Sequence, residues 1–162
     1  MSTHERPTPR GGVTRTIMTG FDPAAFVHAY ERRGYDSLAD LSRATGVGLA
    51  TLYHWVKGNR KPQVLTLAKV ATELDVPLNE LIIVKPEARM LSYYRNIRGL
   101  TQTDCARLAK MPTSTWSSIE RGEVATITDQ TAAKFAAVLD ISVDDVRAAF
   151  KRVRERERGT PP

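Results

Sequence analysis

A chain of 162 residues, 41% hydrophobic and 26% charged, has the composition of a soluble globular protein with room for one ordinary domain or two small ones. Its formal net charge of +6 favours a polyanionic partner without proving one. A single cysteine, Cys105, excludes an intrachain disulfide and a cysteine-rich zinc site, and the longest apolar runs, such as Leu81-Ile82-Ile83-Val84, are too short to span a bilayer.

Residues 1–20 (MSTHERPTPRGGVTRTIMTG) are rich in Pro, Gly, Thr and Arg, show no apolar period and carry no apolar secretory core. They are expected to form a disordered basic arm, not a leader. From Phe21 onward the chain reads as short helices with brief connections, and the fold class is all-α. The spacing predicts helices over 23–33, 37–45, 49–57, 63–74 and 78–82. After the short join Val84-Lys85-Pro86-Glu87, stiffened by its proline, it predicts helices over 88–98, 102–109, 113–121, 128–139 and from 143 onward.

The two sets of helices are copies of one another. Leu41-Ser42-Arg43-Ala44-Thr45-Gly46-Val47 lies over Cys105-Ala106-Arg107-Leu108-Ala109-Lys110-Met111, and Ala50-Thr51-Leu52-Tyr53 over Ser114-Thr115-Trp116-Ser117, both 64 positions apart. After a one-residue slip, Leu74-Asp75-Val76 matches Leu139-Asp140-Ile141. The expected domains are therefore 21–84 and 85–149, followed by a basic extension over 150–162. Each unit alone is small for an independent core, so the two are expected to pack on each other or on a partner.

Within each repeat the second and third helices are three or four residues apart, which is helix-turn-helix spacing. Ser42 and Ala106 keep the second helix thin where a steep crossing needs close approach. Leu52 and Trp116 plug the third helix from inside. Gly46 suits a left-handed turn; Lys110 takes its place in the second copy, at a cost of roughly 1 kcal/mol if the turn has the same shape.

The run Gly99-Leu100-Thr101-Gln102, then Cys105-Ala106-Arg107-Leu108-Ala109, then Thr113-Ser114-Thr115-Trp116-Ser117-Ser118-Ile119-Glu120-Arg121-Gly122 resembles the lambda-repressor-like (XRE-type, Cro/C1) helix-turn-helix family. Leu41 to Pro62 is similar to the same family, and the two resemblances cover roughly residues 21–148. The resemblance implies two five-helix domains that bind double-stranded DNA. It implies that Gln102 opens the second helix to hold a phosphate and brace a base-reading side chain. Thr113, Ser114, Ser117 and Ser118 would form the face that enters the major groove, and Arg121 would lie near the duplex backbone. Arg95 and Glu120 match an ion pair that ties the first helix to the recognition helix.

The first copy departs from this pattern. Leu38 stands where Gln is expected, Glu31 where Arg is expected and Val56 where Glu is expected. Its outward face reads Leu49, Ala50, Tyr53 and His54. The first two can only meet a thymine methyl, whereas Tyr53 and His54 can reach bases or phosphates. Lys57, Asn59, Arg60 and Lys61 follow in an acid-free loop placed to neutralise phosphates. Arg6, Arg10 and Arg15 of the arm have the chemistry to follow a minor groove.

The histidines His4, His28 and His54 are scattered, so no metal is expected, and no cofactor. Cys105 falls on an apolar helix position as a small core filler. Ten basic against eight acidic side chains in residues 1–84, and fourteen against ten in 85–162, make the excess moderate; affinity must come from placed contacts. Val143, Val146, Phe150 and Val153, at spacings of three, four and three, form an apolar seam that, beyond Phe150, is expected to project outward with a basic run. A partner helix or second copy, phosphates and plain solvent remain open as its recipients.

These features point to a sequence-specific transcriptional regulator, a cytoplasmic repressor of the phage-immunity or mobile-element kind acting by operator occupancy. The alternative is a protein-interaction module, an antitoxin or assembly adaptor, built on the same scaffold. Paired carboxylates, a nucleophile with its base and a phosphate-cradling glycine loop are all missing from the sequence, so no enzyme is expected.

Overall fold

The computed structural model describes residues 18–162, so Arg6, Arg10 and Arg15 of the expected arm lie outside the described residues. Among the described residues the chain is all-helical. The first unit comprises α1 (Pro23–Arg32), α2 (Leu38–Thr45), α3 (Leu49–Val56), α4 (Val64–Leu74) and a single 3₁₀ turn, Leu78–Glu80. A second 3₁₀ turn, Pro86–Ala88, leads into α5 (Leu91–Ile97), α6 (Gln102–Leu108), α7 (Thr113–Glu120), α8 (Asp129–Leu139) and α9 (Val143–Glu155).

Local chemistry sets these boundaries. Asp22 caps α1 by accepting from the Ala24 and Ala25 amides at 2.9 and 3.3 Å, with Pro23 in the first turn. Ser37 caps α2, Thr128 caps α8 and Ser142 caps α9; Thr101 and Asp104 form a reciprocal capping box on α6. The two Thr101 hydrogen bonds hold the Asp104 carboxyl below its usual range. Asp75 and Asp140, 65 positions apart, close α4 and α8 in the same left-handed conformation, so the slip in the repeat is real in the backbone.

Lys110 has φ 54°, in the same left-handed region as Gly46 at φ 72°. Lys110→Gly is therefore expected to stabilise the second unit, by up to about 1 kcal/mol after the entropy glycine gains when unfolded. Equilibrium urea unfolding of the full chain measures it; a loss of stability contradicts the strain assignment.

Each unit has its own core. Phe26, Leu41, Leu52, Trp55, Leu67 and Val70 centre the first, with Trp55 meeting Phe26 edge-on at 5.6 Å. Trp116 and Phe135 stack at 3.7 Å in the second, around Leu91, Cys105, Ala132 and Val146. Burial pushes the Cys105 thiol up to about 12, as befits an inert core filler. Met18 is 3% exposed in the first core, and the Ile83 amide donates to the Gly20 carbonyl at 2.7 Å. Packed structure thus begins by residue 18, inside the stretch read as an arm, because the chain entering α1 pairs with 81–83.

The seam is a second correction. Val146, Phe150 and Val153 are 0%, 8% and 0% exposed, all within the second core, whereas Val143 at the head of the helix is 39% exposed. Over its thirteen residues α9 packs along its own domain, burying Val146, Ala149, Phe150 and Val153. The basic run folds back too: Arg152, Arg154 and Arg156 donate to the carbonyls of Arg89, Gly122 and Arg121 at 2.9, 2.9 and 2.8 Å. Residues 150–155 therefore complete the second unit, and the seam is covered by its own chain, not held open for a partner helix or second copy. Val153→Ala should cost roughly 2 kcal/mol of folding stability, read from chemical denaturation; an effect confined to oligomerisation would contradict this packing.

The units pack on each other. Tyr93 of α5 is 7% exposed within the first unit's core, with Tyr94 and Ile97 against the same cluster. The Arg89 guanidinium lies 4.7 Å from the Tyr93 ring centroid and donates to the Val84 carbonyl at 3.1 Å. Gly99, at φ 69°, is needed for closeness as well as conformation. A Cβ there would fall 3.2 Å from Ala68 and 3.3 Å from Leu78, both across the interface.

Candidate nucleic-acid interface

In the second unit α7 rests on a buried polar cluster. Arg95 and Glu120 are 2% and 0% exposed. The Arg95 Nε donates to both Glu120 oxygens at 3.1 and 2.9 Å, its Nη2 to Oε1 at 2.8 Å and its Nη1 to the Leu100 carbonyl at 2.8 Å. The Trp116 indole donates to Oε2 at 2.7 Å and the Gln102 amide to Oε1 at 3.2 Å. This arrangement joins α5, α6 and α7 through one carboxylate, which fixes α7 against α5 and α6.

Gln102 also accepts from the Ser117 hydroxyl at 2.6 Å, and Ser117 is 8% exposed. The resemblance implied an outward-facing Ser117, and the structure instead buries it. The crossing of α7 over α6 turns position 117 onto Gln102, so its hydroxyl is already occupied. Thr113 and Ser114 stay exposed and Ser118 is half-buried, so the open face is shorter than expected.

Arg121 is half-buried and held by Glu123, Nε to Oε1 at 2.8 Å and Nη2 to Oε2 at 3.1 Å. The bond to Arg121 holds the Glu123 carboxyl below its usual range and raises Arg121 in turn. A groove beside α7 is lined with hydroxyls that the spacing did not single out: Thr115, Thr126, Thr128 and Thr131 join Ser114 and Ser118. For Thr126, Thr128 and Thr131 the signal in the sequence was the threonine-rich run 126–131, which reads equally as a helix-capping loop.

The first unit builds the same element without the polar cluster. Gly34 and Tyr35 donate to the carbonyls of Glu31 and Tyr30, as Gly99 and Leu100 donate to those of Asn96 and Arg95. The partner of Arg95 in the fold is thus Tyr30, not Glu31, because the first unit's loop before its second helix is one residue longer. Tyr30 packs edge-on to Phe26 at 5.4 Å, with Leu38 and Val56 against the same core. Glu31 is exposed. Aromatic and aliphatic packing does here what the ion pair does in the copy.

The outward face of α3 is apolar and open. Leu49 is 43% exposed, Tyr53 53% exposed, Ala50 exposed and His54 half-buried. Lys57 sits 5.5 Å from the Tyr53 ring centroid. Lys57, Asn59, Arg60 and Lys61 are exposed, and Arg60 and Lys61 line a groove beside Gly46, Gly48 and Thr51. Lys69 of α4 lines the same groove, with its Nζ 3.4 Å from a Cβ built at Gly46. Sequence reasoning missed Lys69, since it lies outside the loop; its place one helical turn after Leu65 on the same face was the available signal. The ion pairs among the described residues involve none of Lys57, Arg60, Lys61 or Lys69. Neither α3 nor α7 has a side-chain cap at its N-terminus, so their first amides are left for an outside acceptor.

No group of three or more metal-binding side chains comes together among the described residues, and none of their helices is long and apolar enough to cross a membrane. A family model described as a helix-turn-helix domain matches residues 88–150, and one described as helix-turn-helix matches residues 31–81. The matches fall one on each unit, and such domains belong to DNA-binding regulators. No curated protein matches the chain significantly.

Proposed function

Since the chain is a tandem XRE-type helix-turn-helix protein, we propose that it is a sequence-specific regulator of transcription that binds a double-stranded operator with both units and represses by occupancy. The observation that carries this reading is the exposure of the outward faces of α3 and α7, one in each unit of a packed pair. Thr113, Ser114 and Ser118 supply hydroxyls for base edges in the second half-site. Leu49 and Ala50 supply contacts to thymine methyls in the first, with Tyr53 and His54 beside them. Lys57, Arg60, Lys61 and Lys69 hold phosphates. Gln102 and Ser117 brace the second reading helix and leave the bases to their neighbours.

The chain works without catalysis, without metal and in the cytoplasm of a bacterial host, on a phage or mobile-element operator. The protein-interaction reading draws on two features, the seam of Val146, Phe150 and Val153, which is covered by its own domain, and the unusual face of Leu49, Ala50, Tyr53 and His54, which stays open.

Selection of bound duplexes from a random pool tests the proposal. Thr113→Ala with Ser114→Ala should erase preference at one set of base positions, and Tyr53→Ala with His54→Ala at another, each lost base contact being worth about 1–3 kcal/mol. Failure to enrich any sequence, or uniform weakening by both pairs, contradicts base reading by these faces.

A further inference from the structure

Two units docked alike on one duplex are related either by a dyad, which gives inverted half-sites, or by the screw of the duplex, which gives half-sites in one direction. The packing between these units decides which. A dyad requires every contact to occur twice, with the roles of the units exchanged. Here Gly99 of α5 lies against Ala68 and Leu78 of the first unit. The mate of Gly99 is Gly34, and a Cβ built there meets nothing within 4 Å. The mates of Ala68 and Leu78 are Ala133, which is exposed, and Val143, which is 39% exposed, whereas Leu78 itself is 9% exposed.

The helix faces agree. Tyr93, buried in the other unit's core, corresponds to His28, which is exposed. Ile97 corresponds to Arg32, whose guanidinium is paired 3.0 Å from Glu80 of its own unit. The interface thus joins the first helix of one unit to the fourth helix and 3₁₀ turn of the other, and it has no reciprocal half.

We infer that this heterologous packing presents the two recognition helices without dyad symmetry, so that the operator's half-sites run in the same direction and are not a palindrome. The inference rests on the regulator reading above.

Tethered cleavage of a selected duplex tests it. Asn59→Cys and Glu123→Cys place a thiol at equivalent positions after α3 and α7, while buried Cys105 stays unlabelled. With an iron chelate on each thiol in turn, the two cut clusters should be displaced in the same direction from their half-sites. Displacement in opposite directions, or one half-site occupied per chain, overturns the inference and leaves DNA binding standing. Absence of salt-dependent binding by the unlabelled chain overturns the regulator reading with it. A second variant gives both units one face: Leu49→Thr, Ala50→Ser, Tyr53→Ser and His54→Ser, all at exposed or half-buried positions. Its selected site should become a direct repeat; an inverted repeat contradicts the inference.

Discussion

Glu120→Ala should destabilise the second unit by about 3–5 kcal/mol, because it leaves the Arg95 guanidinium buried without its counter-charge. The Trp116 indole and the Gln102 amide lose an acceptor in the same step. Urea unfolding followed by circular dichroism measures the loss, and a change below about 1 kcal/mol would place the pair in the surface class. Glu123→Ala supplies the contrast. Its pair with Arg121 has side chains 52% and 36% exposed, so removing it should cost at most about 1 kcal/mol. Arg95→Met combined with Glu120→Met should be less damaging than Glu120→Ala alone, since no unpaired charge remains. The first unit, with Tyr30 and Val56 at these positions, shows that the fold accepts such packing.

The second large effect concerns affinity. Arg60→Ala, Lys61→Ala and Lys69→Ala together should flatten the dependence of log K on log salt by about 2–3 units, at roughly 0.9 per released phosphate contact. Arg121→Ala in the second unit should change the slope far less, because Glu123 already neutralises it. Salt titrations on one fixed duplex measure both. An unchanged slope in the triple variant would remove the first unit's groove from the phosphate contacts. On the proposed reading, that contrast would assign electrostatic anchoring mainly to the first unit and hydroxyl-based reading to the second.

The helical class and the tandem arrangement were legible because apolar positions recur at fixed offsets and glycines mark the turns. Lys110 in Gly46's place, and the Asp75 and Asp140 closures, follow from the same register. What escaped the sequence depends on geometry finer than spacing. Glu31 was set against Arg95 because one extra loop residue before α2 shifts the first helix by a single position. Ser117 looked outward because helical period alone does not report how far α7 rolls onto Gln102. Val153 looked like the start of a free extension because nothing local shows that the second core reaches as far as the last turns of α9. Tyr93 was equally silent: an aromatic on a first helix reads as its own unit's core, and only the packed pair shows it entering the other's.

On the proposed function, one chain covers two half-sites at once through α3 and α7. Native mass spectrometry of the protein with its selected duplex, paired with footprinting of the same complex, decides this. One chain per duplex with two separate major-groove footprints is the expected result. Two chains per duplex, each protecting a single groove, would contradict it.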